Sequence, residues 1–344
     1  MGEVHEIEIS VWSVDAGAIL GALAILPAKQ ALAQADTRTQ LRSDFDAAIK
    51  GKKVAWVPIT LGNPLADSWT KAMKSNFDKY GVELVVRDPN FDSGAQLQAV
   101  TSIINEKPDV LIVQNPNVSL LANEIKRAMA AGIYVVQVNM RSNQPSDAYV
   151  GVDYYDTGRL IAEDIAATCG NGKGSGKVAI VQGEPTAAGS VDQLRGALEV
   201  FKKYPSIKVV STQAANWDSN KAYEITATVL QQHPDLCATY GFWGIMQAGA
   251  AQAVKAAGLD GKVKVYASSE GNWNDCDLVE QGLFYKILSF RSNIQGEQIA
   301  DAVITLLEEK AKPGSRSLIY LSNNFWVAGK ADRNYCFEKS AVTP

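Results

Sequence analysis

Histidine is nearly missing from this 344-residue chain: only His5 and His233 are present. His233 closes a helical run in Gln232-His233-Pro234. One interior histidine supports neither a histidine-based catalytic triad nor a histidine-rich metal site. Cysteine is scarce as well. Cys169, Cys237, Cys276 and Cys336 contain no C-x-x-C pair, which argues against a zinc ribbon or a thioredoxin-like centre. No G-x-G-x-x-G follows the first strand, so a dinucleotide site is unsupported. Gly170–Lys177 resembles a phosphate loop only at a glance. Asn171 stands where the first glycine belongs, Val178 replaces the serine or threonine, and the segment precedes a strand. No two acids stand out at strand ends of one sheet as a glycosidase pair would. These absences argue against an enzyme, a cofactor and a metal.

Charge of one sign is also lacking. The formal net charge is −4, and four acids and one base lie before residue 36, which leaves 32 basic and 33 acidic residues beyond it. Such a chain has no electrostatic footprint for nucleic acid or an anionic membrane. The apolar run Ala16–Leu26 spans 11 residues, against roughly 20 needed to cross a bilayer. Ala33-x-Ala35 follows and fits a signal-peptidase site. The pattern predicts a cleaved export signal over residues 1–35 and a periplasmic protein. Residues 1–15 hold four acids and no Lys or Arg where an export signal is usually basic. An amphipathic N-terminal helix is the other reading.

What the chain does have is one pattern written twice. From Lys52 to Val138, apolar strand-like runs (KKVAWVPI, ELVVRD, PDVLIVQN, IYVVQVN) alternate with amphipathic helical runs. From Lys177 to Ala267 the same alternation returns with KVAIVQG, IKVVSTQ, LCATYGF and VKVYAS. Alternating strands and helices predict open parallel α/β sheets, which bind ligands at the carboxyl ends of their strands. The expected fold is therefore α/β: two similar Rossmann-like parallel-sheet domains joined by a three-strand hinge, with the ligand cleft between them.

The helix over residues 294–310 has no obvious partner in the second sheet and is expected to return to the first domain. Ser317–Leu321 and Asn324–Val327 are expected to lie in the second. The domains would then be 36–152 plus 291–317, and 153–290 plus 318–344. The three crossings fall near Gly151–Asp153, Ser289–Ser292 and Gly314–Ser317, and parallel linkers of this kind permit opening and closing. Cys169 and Cys237 both fall near the amino-terminal edge of the second sheet, which favours Cys169–Cys237 and Cys276–Cys336 as disulfides. Four buried thiols are the alternative.

The residues that follow the strands indicate the function. In the first half they are Asn63 with Asp67 and Trp69, then Asn115, then Asn139 with Arg141. In the second they are Gln182, Glu184 and Gln193, then Trp217, Trp243, and Glu270 with Trp273. Phe290 and Arg291 lie at the second crossing. Aromatic faces pack on C–H surfaces while amides, carboxylates and arginine bond hydroxyls, a combination suited to a sugar ring or polyol. Each residue also has a plainer role. Asn63-Pro64 is turn chemistry, and Trp69, one turn inside a helix, fits a core. Arg141 and Arg291 fit surface ion pairs.

At these residues the chain resembles the type I periplasmic sugar-binding proteins, the ribose and galactose group that serves ABC transporters. The resemblance rests on Gly62-Asn63-Pro64, VVQVN at Asn139, YVGVDYYDTG (Tyr149–Gly158), QLRGALEVF (Gln193–Phe201), NWDSNKAYEI before QQHPDL, YGFWG and VKVYASSEG. It implies a two-domain receptor without catalysis that works as a monomer and hands cargo to a membrane permease. Asn63, Asn139, Trp217 and Glu270 match the family's ligand positions. Gln193, Trp243 and Phe290 fall where the family often has Arg, Asn and Gln, and Leu65 and Ala66 replace its paired aromatics. The implied ligand is a small neutral carbohydrate or polyol, with an acyclic polyol or unusual sugar favoured by these departures. A sensor that presents the same closed form to a chemoreceptor or sensor kinase is the alternative. The family's DNA-binding cousins carry a helix-turn-helix where this chain has its leader.

Overall fold

A computed structural model describes residues 28–330 together with 336 and 337. The expected export signal therefore lies largely outside the described residues. The segment through Phe45 forms one unit, and Asp46 onward forms a second. Of the first unit, only the helix that begins at Ala28 is described. No described helix is long and apolar enough to cross a membrane.

After helix α1 (Ala28–Ile49), the first lobe alternates strands and helices. The strands are β1 (Lys53–Val57), β2 (Glu83–Val86), β3 (Val110–Val113), β4 (Tyr134–Val138) and β5 (Ala148–Gly151). The helices between them are α2 (Pro64–Tyr80), α3 (Ser93–Glu106) and α4 (Ala122–Ala130). β1 and β3 are apolar and buried almost throughout, as parallel strands covered on both faces must be. Each helix begins and ends for a local reason. α2 has Pro64 in its first turn, Asn63 capping the Ala66 amide, and Gly81 at φ 70° after its last residue. Its core stripe repeats every four residues at Leu65, Trp69, Met73 and Phe77.

The second lobe repeats the plan. It contains α5 (Tyr154–Cys169), β6 (Lys177–Gln182), α6 (Ala188–Phe201), β7 (Lys208–Ala214), α7 (Ser219–Gln232) and β8 (Ala238–Gly241). It continues with α8 (Gly244–Ala256), β9 (Lys264–Ser269), α9 (Trp273–Glu280) and β10 (Lys286–Ser289). α5 and α6 approach closely because Gly158 and Gly196 lie at their contact. A Cβ on either would come within 2.1 Å of a backbone carbonyl of the facing helix, Gln193 or Tyr155.

Helix α10 (Ser292–Glu309) then packs against α2 of the first lobe. Strands β11 (Leu318–Leu321) and β12 (Phe325–Ala328) close the described chain. The sheets run β11-β5-β4-β3-β1-β2 and β12-β10-β9-β8-β6-β7, the same winding twice. All pairings are parallel except β12, which runs antiparallel to β10.

One expected boundary is corrected. Leu318–Leu321 belongs to the first sheet, parallel to β5 from Leu318–Ala148 to Leu321–Gly151. The Leu318 amide bonds the Asp147 carbonyl, and the Ser322 amide bonds that of Gly151. The last crossing therefore lies between Leu321 and Phe325, not at Gly314–Ser317. The reason is that α10 delivers the chain to the free β5 edge, and the strand pairs there before it crosses.

Cys169 lies at disulfide distance from Cys237, and Cys276 from Cys336, with Cα separations of 5.9 and 6.3 Å. Both pairs are in the second lobe and enter its core clusters.

Candidate functional site

The carboxyl ends of the central strands of both sheets face a cavity between the lobes. The first lobe contributes Asn63, Leu65, Phe91, Gln114 and Met140 to its wall. Tyr154 follows at the hinge, and the second lobe adds Trp217, Phe242, Trp243 and Phe290. Half of the lining is aromatic, and none of it is charged.

Several direct contacts join the two lobes. The Val118 amide donates to the Thr186 carbonyl at 3.1 Å. Arg141, just past β4, places its Nε and Nη2 at 3.0 and 2.9 Å from the two carboxylate oxygens of Asp192 on α6. The Gly189 amide points at the Met140 sulfur at 3.3 Å.

Two walls come from equivalent turns. Phe91 follows β2 and Trp217 follows β7. Each is the second of two consecutive left-handed residues: Asn90 and Phe91 at φ 50° and 62°, Asn216 and Trp217 at φ 55° and 66°. Each precedes an aspartate, Asp92 or Asp218, that caps the next helix. Left-handed backbone costs roughly 1–2 kcal/mol per ordinary residue. It persists where surrounding bonds over-determine it, and such strain clusters at ligand sites. Gly183 completes the second turn, since a Cβ there would lie 2.1 Å from the Trp217 ring. Trp217 meets Trp243 edge to face, with ring centroids 6.2 Å apart.

Behind Trp243 lies a buried acidic pair. Glu270 and Asp275 are both fully buried. One Glu270 oxygen accepts the Trp243 indole N–H at 2.9 Å, and the other accepts the Asn272 amide at 2.9 Å. Asp275 Oδ2 accepts the Ser269 hydroxyl at 2.7 Å, while Oδ1 has no partner. Gly244, the first residue of α8, makes room for Asp275, because a Cβ there would come within 1.8 Å of its carboxylate. Burial pushes the Glu270 carboxyl up to about 7. Asp275 is pushed further above the usual carboxylate range, by burial first and by the neighbouring Glu270 second. Burial likewise raises the Tyr154 phenol, which stays protonated. No ion pair among the described residues reaches either acid.

Of the residues singled out from sequence, Asn63, Trp217, Trp243 and Phe290 line the cavity. Trp69 does not, and that expectation is corrected. It is fully buried, donates its indole N–H to Gln295 at 3.1 Å and stacks edge to face on Trp56. Asp67 holds the first loop by accepting the Gly62 amide. Asn139 sits behind the wall, its oxygen bonded to Gln295. Gln193 is fully buried and spends its amide on Gly189, Phe242 and Tyr240. Arg141 belongs to the inter-lobe pair, Arg291 lies over the Phe325 ring, and Glu270 supports Trp243.

Phe91, Gln114, Met140, Tyr154 and Phe242 are cavity residues that the sequence reading missed. For Phe91 a signal was present: Asn90-Phe91-Asp92-Ser93 repeats as Asn216-Trp217-Asp218-Ser219.

Residues 54–311 match the family model described as a periplasmic binding protein domain. The chain belongs to that family. Its members are receptors and not enzymes, and the fold and relatives place this one in the type I sugar-binding group. It is 30% identical over 246 residues to the D-allose-binding periplasmic protein of Escherichia coli (strain K12), covering 69% of this chain and 78% of that protein. It is 28% identical over 202 residues to a ribose import binding protein of Bacillus subtilis (strain 168), covering 58% of this chain and 65% of the relative, just under two thirds. Among solved structures, an ABC transporter periplasmic solute-binding protein from Actinobacillus succinogenes with bound D-allose superposes with a TM-score of 0.72 at 26% identity. That match covers 83% of this chain and 100% of the other.

Proposed function

We propose that this receptor captures a monosaccharide or sugar alcohol in the periplasm by hinge closure and delivers it to an ABC importer. The observation that carries the reading is the cavity walled by Phe91 from one lobe and Trp217 from the other, with Arg141–Asp192 clasping the lobes outside it. A ligand that contacts both walls stabilises the closed form over the open one, and that difference drives closure. The direct contacts in this reading are Asn63, Trp217, Trp243 and Phe290, joined by Phe91, Gln114 and Tyr154. Asn139 and Glu270 act from behind them. The bound, closed protein is the form a permease recognises.

Small-angle scattering of ligand-stripped protein tests this. The radius of gyration should contract on saturation with a bound sugar. Identical profiles with and without a ligand shown to bind would remove hinge closure from the account.

A further inference from the structure

We propose that the ligand carries a cationic nitrogen: an aminated sugar or amino-polyol of monosaccharide size, its ammonium seated on the Trp217 and Trp243 faces in front of Glu270. This deepens the receptor reading above and rests on it.

Three observations converge on that chemistry. First, the cavity offers aromatic faces where a neutral sugar needs hydrogen bonds. Six of its lining side chains are aromatic, and rings attract a cation through their negative faces. The polar groups are few and partly occupied. Asn63 Oδ1 caps α2, the Thr60 hydroxyl bonds the Leu61 carbonyl, and Gln114 Oε1 accepts the Ile59 amide.

Second, no lysine or arginine lines the cavity. The two nearby in sequence are committed elsewhere, Arg141 to Asp192 and Arg291 to the Phe325 face. Nothing in the wall repels a positive ligand.

Third, the buried Glu270 carboxylate touches the back of the wall. It takes the Trp243 indole N–H at 2.9 Å. A donor bonded to a carboxylate becomes more electron-rich, which strengthens the pull of that ring on a cation. Buried acids without a counter-charge are costly, and a cation in front of one lowers that cost. The titratable groups that face Glu270 are Asp275 and Tyr154, neither of them cationic. With the cavity empty, burial raises the Glu270 carboxyl to about 7, so that a proton serves as its counter-charge. A bound ammonium takes over that role and releases the proton.

Isothermal calorimetry on the full chain, near pH 7, tests the proposal with matched probes: D-glucamine against D-glucitol, and D-glucosamine against D-glucose, with tetramethylammonium as the bare cation. We expect the aminated member of at least one pair to bind about tenfold tighter or more than its neutral partner. D-glucamine should release protons on binding, read from two buffers of different ionisation enthalpy. Glu270→Gln keeps an acceptor for Trp243 and should erase both the preference and the proton release. Neutral members that bind as tightly as aminated ones, or a preference that survives Glu270→Gln, would overturn the inference and leave the sugar-receptor reading standing. Binding of tetramethylammonium alone would keep the cation site and overturn the sugar reading. Silence from every probe, in protein shown to be folded by its melting curve, would overturn both.

Discussion

Phe91 and Trp217 occupy equivalent positions in the two lobes and line one cavity from opposite sides. Each stands on left-handed backbone between an asparagine and a helix-capping aspartate. The strain is the same on both sides, so a single turn design positions both jaws. Phe91 is 57% exposed, so its ring adds little to the core.

Phe91→Gly should therefore cost affinity without costing stability. Glycine relieves the left-handed strain, while the lost aromatic face weakens binding by about 1–3 kcal/mol, the scale of burying a large side chain. Trp217→Ala should weaken binding by a similar amount. Calorimetry with a bound sugar and a thermal melt separate the two effects. Unchanged affinity in both variants would place the ligand elsewhere.

Gly183→Ala should displace the Trp217 ring, because the added methyl would overlap it. The variant should fold and lose affinity as Trp217→Ala does. Indole fluorescence should report the new ring environment even without ligand. Wild-type affinity and fluorescence together would contradict the packing described.

The clasp gives a third expectation. Arg141→Ala should open the ligand-free ensemble and raise its radius of gyration. The pair is bidentate but its arginine is 42% exposed, so the effect on ligand affinity should be about 1 kcal/mol. A double-mutant cycle with Asp192→Ala checks whether the loss belongs to the pair, since Arg195 also reaches Asp192 at 3.3 Å.

Glu270 sets a pH dependence. Its ordinary value is 4.5 and its folded value about 7. The folded state therefore binds more protons than the unfolded state between these values, and stability falls as pH rises through that window. The contribution is fully present below about 4.5 and lost above about 7. Asp275, raised by burial and by Glu270, pushes in the same direction. Urea melts of ligand-free protein should show the decline, and Glu270→Gln should reduce it, leaving the part that belongs to Asp275. A variant with the wild-type pH profile would show that Glu270 titrates alike in the folded and unfolded states.

Both cysteine pairs close long loops, with sequence separations of 68 and 60. If oxidised, each should stabilise the second lobe by about 2–5 kcal/mol. Non-reducing mass spectrometry should find no free thiol, and reduction should lower the melting temperature.

Much of the fold was legible because buried parallel strands read as apolar runs and helix ends carry explicit chemistry. Asn63-Pro64 and Gly81 bracket α2, and Asp92 and Asp218 open α3 and α7. The edge that Leu318–Leu321 joins was not legible, since both sheets offer a free edge and the strand's own residues name neither. Trp69 was legible in principle: Leu65, Trp69, Met73 and Phe77 repeat at helical spacing and mark the core face. Two cavity residues were missed by one position. Met140 lines the cavity beside Asn139, which does not, and Gln114 lines it beside Asn115. Successive side chains at a strand end point to opposite sides, so an error of one residue exchanges wall for backing.

The central claim is that this protein is a receptor for a sugar-like ligand, and the most direct measurement is a thermal-shift screen. Protein unfolded and refolded to strip carried ligand would be screened against neutral and aminated monosaccharides and alditols. A ligand at about 100 times its dissociation constant adds roughly 2.7 kcal/mol, enough to raise the midpoint by several degrees. The account predicts a shift with one or a few stereochemically related compounds, abolished by Trp217→Ala. No shift with any compound of the panel would contradict it.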